Sequence, residues 1–215
     1  MIARVHRAVA VLLLCLGVVA VPPVSAGPPT DSLRGFIDRM VAVLDDARLK
    51  APERAADRHR ALRALADQAL DYGESARRTL GSHWDARSAD ERTQFVKLFT
   101  DLIDQAYLSR LAWDGHRIEY DGETINGREA TVKARAMSRE GRATPVVFAL
   151  TRGADGRWRV YDVAFEGMSL VSNYRAQFNK IIRASSYEGL VSRLEAKTGV
   201  AAQASTGPTP SASAP

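Results

Sequence analysis

The sequence predicts an α+β domain in which a curled four-stranded antiparallel sheet, a meander, is packed with six or seven helices. Three observations predict it. Apolar residues in the first half of the chain recur every three to four positions, the spacing of amphipathic helices. Between about residues 118 and 165 the spacing shortens to two, and the connections there are too short for anything but antiparallel neighbours. After Ser169 the helical spacing returns, so helices, paired strands and helices follow one another in the order of an α+β fold. A length of 215 residues with 46% hydrophobic and 26% charged side chains fits one globular domain.

The chain opens with Arg4, His6 and Arg7, followed by an apolar run from Ala8 to Val21, a Pro22-Pro23 break and Val24-Ser25-Ala26. This is the pattern of an export signal cut after Ala26, and the run is too short to span a bilayer comfortably. Cys15, the one cysteine, lies within the run with no small residue before it, so it is not a lipid-attachment cysteine. Cleavage leaves 28 basic and 25 acidic residues, a net charge of +3, and no thiol. Such a chain is expected in the periplasm, held by its own core without disulfides and with no nucleic acid as partner. Its arginines are spread through every segment and read as a solvated surface. Residues 1–26 are thus expected to be a signal peptide, 27–200 the folded domain and 201–215 a disordered low-complexity tail that cannot bury apolar area.

Leu33, Phe36, Ile37, Met40, Val41 and Leu44 form the apolar face of a first helix, with Thr30 or Asp31 as its cap. A second helix starts at Pro52 and runs to about Leu70, turning Ala55, His59, Leu62, Leu65, Ala66 and Ala69 inward. A shorter one covers Glu74 to Leu80. Ser88-Ala89-Asp90-Glu91 is a capping box, in which serine and glutamate satisfy each other's backbone donors. The helix it opens bears Phe95, Leu98, Phe99, Leu102, Ile103, Ala106, Tyr107 and Leu111. After Trp113-Asp114-Gly115 come four strands, marked by Ile118 and Tyr120, by Val132, Ala134 and Ala136, by Thr144 to Thr151, and by Trp158 to Phe165. Ser169 caps a helix carrying Leu170, Val171, Tyr174, Phe178, Ile181 and Ile182, and a last helix spans Tyr187 to Lys197.

The chemistry of an enzyme is missing. Gly167-Met168-Ser169-Leu170-Val171 begins like a nucleophile elbow but lacks the second glycine and follows an antiparallel strand, so Ser169 is a helix cap. His59, His83 and His116 stand apart, with no metal-ligand spacing. Asp162 and Glu166 read as a solvated or arginine-paired strand end rather than as an acid pair. No glycine-rich phosphate loop occurs, so no cofactor is expected. What stands out is apolar side chains on the last strand: Trp158 and Val160 face one way and Tyr161, Val163 and Phe165 the other, greasy on both sides. Either this is ordinary core, or a cavity between sheet and helices holds an apolar ligand.

Tyr161-Asp162-Val163, Glu166-Gly167-Met168-Ser169, Asn173-Tyr174-Arg175, Phe178, Ile181-Ile182 and Gly189-Leu190, in that register, resemble the C-terminal part of the MlaC family, also called the toluene-tolerance auxiliary family. Leu80-Gly81, Trp84, the cap at Ser88 to Glu91, Phe95, Phe99 and Tyr107 resemble that family's central helix. The chain departs from it in the proline- and serine-rich tail and in the arginine-rich stretch Arg54 to Arg63. The resemblance implies a monomeric, non-enzymatic periplasmic shuttle. It would carry a phospholipid between an outer-membrane lipoprotein or porin complex and an inner-membrane ABC transporter bearing an MCE-domain protein, and so maintain outer-membrane lipid asymmetry. Within that reading the acyl chains are expected against Val132, Ala134, Val146, Phe148, Leu150 and Val160 of the strands. Met168, Val171, Tyr174 and Phe178 are expected to line the strand-to-helix corner, Met168 foremost because its flexible thioether adapts to varied chains. A hopanoid or similar lipid in the same fold is the nearest alternative; a small enzyme or a structural adaptor of the envelope is a more distant one.

Overall fold

A computed structural model of the chain describes residues 27–111, 115 and 117–205. The expected signal peptide with Cys15, Trp113, His116 and the tail beyond Ser205 lie outside the described residues.

Helix α1 (Pro28–Asp45) begins with proline in its first turn, where the missing N–H costs nothing. Thr30, expected to cap it, lies inside that turn and is buried. The cap comes instead from the sheet: the backbone N–H and hydroxyl of Thr30 both donate to Glu123 Oε2, at 2.8 and 2.5 Å. Two 3₁₀ turns (Ala47–Leu49 and Pro52–Arg54) lead into α2 (Ala55–Ala69), of which Leu62 and Ala66 are buried. Ala55 is exposed and His59 half-buried, because the first turn of α2 stands beyond the core. Helix α3 (Tyr72–Leu80) is capped by Asp71, whose carboxylate accepts from the Glu74 N–H. The capping box of α4 (Ala89–Ala106) forms in full, with Glu91 N–H donating to Ser88 Oγ and Ser88 N–H to Glu91 Oε2. Phe95, Leu98, Phe99 and Leu102 are buried along it. The helix ends at Ala106, and Tyr107 and Leu111, expected on the same face, are largely exposed.

The sheet runs β1 (Arg117–Asn126), β2 (Glu129–Met137), β3 (Ala143–Arg152), β4 (Trp158–Phe165) and β5 (Met168–Ser169), each antiparallel to the next. The predicted meander is therefore present with a two-residue fifth strand added. Two bulges decide which side chains face the helices. Asp121 is the extra residue of β1, and past it Glu123 stands opposite Val132. Tyr161 is the extra residue of β4, so Val160, Val163 and Phe165 stand opposite Leu150, Phe148 and Val146 on one face. An inserted residue reverses the in-out alternation downstream of it. The expectation that Val160 and Val163 point to opposite faces is thereby corrected: β4 is apolar on the helix side.

Ser169 caps α5 (Leu170–Ala184) through the Ser172 N–H, as expected. Helix α6 (Tyr187–Ser205) runs eight residues past the expected end at Lys197, so residues 201–205, assigned to the tail, are helical. Buried Thr198, whose carbonyl accepts from Gln105 of α4, ties this extension to the bundle.

Candidate functional site

The buried apolar side chains form three clusters, the smallest of them Met40, Leu44 and Leu62 between α1 and α2. On the sheet side, Ala130, Val132, Leu150 and Val160 pack beneath Leu33 of α1. On the helix side, Phe95 and Phe99 of α4 meet Tyr174 and Phe178 of α5 edge-on, with ring centres 5.8–6.3 Å apart. A cavity of about 70 Å³ lies where these two sides meet. Leu70, Tyr72 and Ser75 line it from the α2–α3 junction, Phe99 and Ile103 from α4, Val160 to Val163 from β4, and Leu170 from α5.

The polar backbone along this edge of β4 is occupied. Asp71 N–H donates to the Val160 carbonyl at 2.8 Å, and Ser75 Oγ donates to the Tyr161 carbonyl at 2.6 Å. The Asp162 carboxylate accepts from Ser169 Oγ at 2.5 Å and from the Val171 N–H at 3.0 Å, capping α5. With these groups satisfied, Leu70, Phe99, Ile103, Val160, Val163 and Leu170 leave an apolar lining without orphaned hydrogen-bonding groups on the strand edge. Burial pushes the Tyr72 phenol up to about 12, which keeps it neutral at any physiological pH.

A polar latch between α2 and α4 lies beside Tyr72 and Ile103. His59 of α2 bonds Asp104 of α4 at 2.9 Å, and Arg63 lies 3.4 Å from the other oxygen of the same carboxylate. Arg63 also pairs with Asp67 at 2.9 Å and lies 5.9 Å from the centre of the Tyr72 ring. Two carboxylates, Asp67 and Asp104, hold the Arg63 guanidinium, and the His59–Asp104 bond ties α2 to α4.

A second space, a groove of about 550 Å³, runs between α1 and the start of β1. Its floor is Ile37, Val41, Ile118 and Tyr120, with Arg34, Asp38 and Arg117 at its edges. Arg34 lies 4.9 Å from the centre of the Tyr120 ring, and burial lifts that phenol to about 12. Sites that enclose a small-molecule ligand span roughly 300–1,000 Å³. The groove falls in that range, whereas the inner cavity has the volume of about two water molecules. Where the deep pocket was expected, between sheet and helices, there is this small, partly open cavity.

Of the expected lining residues, Val160 alone borders the inner cavity. Val132, Ala134, Val146 and Leu150 are buried and Phe148 is half-buried on the face under α1, while Val171, Tyr174 and Phe178 are buried in the helical half. Met168, expected foremost in the lining, is 73% exposed, beside Phe165 at 54%. The two pair across the Glu166-Gly167 turn, both of whose residues have positive φ, and this hairpin carries them past the edge of the helices. The lining at Leu70, Tyr72, Phe99, Ile103 and Leu170 was missed. Its one sequence signal was the extended break at Leu70-Asp71 between two helical runs. No group of three or more His, Cys, Asp or Glu side chains among the described residues is placed to hold a metal ion.

Residues 34–196, about three quarters of the chain, match the family described as MlaC protein. The chain belongs to the MlaC family. A MlaC protein of Haemophilus influenzae, described as an intermembrane phospholipid transport system binding protein, is 25% identical over 131 residues. That alignment spans 59% of this chain and 60% of the relative, less than two thirds of its length. A phospholipid-binding protein from Ralstonia solanacearum, solved in complex with a phospholipid, shares the fold: TM-score 0.64 at 17% identity, covering 82% of this chain and 99% of that one. Membership in the MlaC family agrees with the cap at Asp162 and Ser169, since Tyr161-Asp162-Val163 and Glu166 to Ser169 belong to the string that suggested it. Those residues hold the start of α5 against β4, which fixes one wall of the cavity.

Proposed function

We propose that this protein carries a phospholipid through the periplasm, from one membrane's transport machinery to the other's. The termini of the route would be an outer-membrane lipoprotein or porin complex and an inner-membrane ABC transporter bearing an MCE-domain protein. The result would be maintenance of outer-membrane lipid asymmetry. The observation that carries the reading is the pair of apolar clusters that face each other across the edge of β4, one under α1 and one among α3 to α6, with a small apolar-lined cavity between them. Family membership and the phospholipid in the Ralstonia structure support it.

The physics requires enclosure without catalysis. Two acyl chains of about 16 carbons, at about 0.8 kcal/mol per methylene, cost on the order of 25 kcal/mol to leave in water. An interior of aliphatic and aromatic side chains matches the membrane interior, so exchange at a docked membrane complex is near-isoenergetic. The cavity is far smaller than an acyl chain, so loading requires sheet and helices to separate around it. The His59, Arg63 and Asp104 latch is the contact that must open. The test is transfer of a fluorescent phospholipid from donor vesicles to the protein and on to acceptor vesicles. Transfer proportional to protein concentration is expected. Vesicle-to-vesicle exchange at the protein-free rate would refute the reading.

A further inference from the structure

The start of α1 is fixed by a carboxylate reaching it from the sheet. The bulge at Asp121 turns Glu123 toward the helices, opposite Val132. Its Oε2 accepts both bonds from Thr30. Its other oxygen, Oε1, lies against Gly27, so close that a β-carbon there would stand 1.8 Å from it. Ordinary covalent geometry puts a residue's nitrogen about 2.5 Å from its β-carbon, so the Gly27 nitrogen is within about 4.3 Å of Oε1. Gly27 has an ordinary φ of −96°, so it is the close approach of Glu123, and not backbone strain, that calls for glycine here.

The cleavage site read from Val24-Ser25-Ala26 falls immediately before this residue. Hydrolysis there breaks the Ala26–Gly27 peptide bond. Water supplies the hydroxyl that completes the Ala26 carboxyl group and the hydrogen that completes the Gly27 amine, which is protonated at neutral pH. We propose that removal of the leader after Ala26 places the new α-ammonium of Gly27 in an ion pair with Glu123, and that this pair locks α1 onto β1 in the mature protein alone. The inference rests on the export reading of residues 1–26 and is independent of which lipid is carried.

Charge explains why the sheet must supply the partner. An ammonium at a helix N-terminus meets the positive end of the helix dipole. The carboxylate, already held by Thr30, offsets both. Geometry explains why the lock matters for function. Helix α1 lies antiparallel along β1, with Thr30 at Glu123, Arg34 over Tyr120, and Ile37 and Val41 bordering the groove with Ile118. Fixing the first turn of α1 steadies the spacing of the groove further along it.

The experiment compares chains beginning at Gly27 with chains beginning at Ser25, which retain two leader residues, each with Glu123 intact and as Glu123→Gln. Glutamine keeps a carbonyl that can accept from Thr30. At pH 7 and low salt, the Gly27 chain should melt about 2–3 °C above the Ser25 chain when Glu123 is intact. With Glu123→Gln the advantage should vanish or reverse. Equal melting of the two Glu123 chains overturns the lock. Intact mass of the exported protein should show a free Gly27 terminus, and a start elsewhere overturns the processing half of the proposal.

Discussion

Removing the Asp104 charge tests the latch. Asp104→Asn keeps the side chain's shape but takes the anion from between His59 and Arg63, which lie 2.9 and 3.4 Å from its two oxygens. Asp104 is 13% exposed while its partners are 37% and 29% exposed, so the pairs are stronger than open-surface ones yet still reached by water. Taking about 0.5 kcal/mol for each pair, within the range measured for such contacts, the loss is about 1 kcal/mol. Because 1.4 kcal/mol is a factor of ten, the open form should become about fivefold more populated. In a stopped-flow assay with fluorescent phospholipid in vesicles, uptake by Asp104→Asn should be about fivefold faster than by the parent protein. The melting temperature should fall by about 2–4 °C. Circular dichroism should be unchanged. Uptake at the parental rate, with the lowered melting temperature, would show that the pairs stabilise the fold without gating the cleft, and the reasoning would fail.

Val163→Glu places a carboxylate against Phe148 on the covered face and should abolish lipid uptake, with destabilisation of several kcal/mol visible in urea titration. Met168→Glu, on a side chain 73% exposed, should leave both stability (within about 0.5 kcal/mol) and lipid retention unchanged, the reverse of what a lining role would give. Ser88→Ala removes the Oγ acceptor from the α4 capping box and should cost about 1 kcal/mol by denaturant melt. The Arg77 guanidinium, bonded to Glu74 and joined by Arg78, holds the Glu74 carboxyl below its usual range. A depressed carboxylate contributes stability above its unfolded value, about pH 4.5, and loses it as pH falls through the lowered folded value. Glu74→Gln should therefore flatten the fall in stability between about pH 5 and pH 3.

The fold was legible where local rules act alone. The capping box at Ser88, the cap at Ser169 and the strand spans follow from residues adjacent in sequence, and the helical and two-residue spacings survive folding because each face must be buried. The site was less legible because its walls come from four separate elements. Tyr161 and Asp121 carry no sequence mark of a bulge, yet each reverses the facing of the residues after it, which is why Val163 was read outward and Glu123 drew no notice. Thr30 was read as a local cap because serine and threonine usually act within their own turn, whereas here the acceptor is 93 residues away. Met168 was placed in the lining by its position between strand and helix. The left-handed turn at Glu166-Gly167 projects it into solvent instead.

Mass spectrometry of lipid extracted from protein purified out of a Gram-negative periplasm tests the central claim most directly. An apolar interior that opens to enclose acyl chains predicts phospholipid near one molecule per protein. A hopanoid at that ratio would keep the enclosure and change the cargo. Protein that is folded, free of bound lipid and unable to acquire any from vesicles would contradict the account.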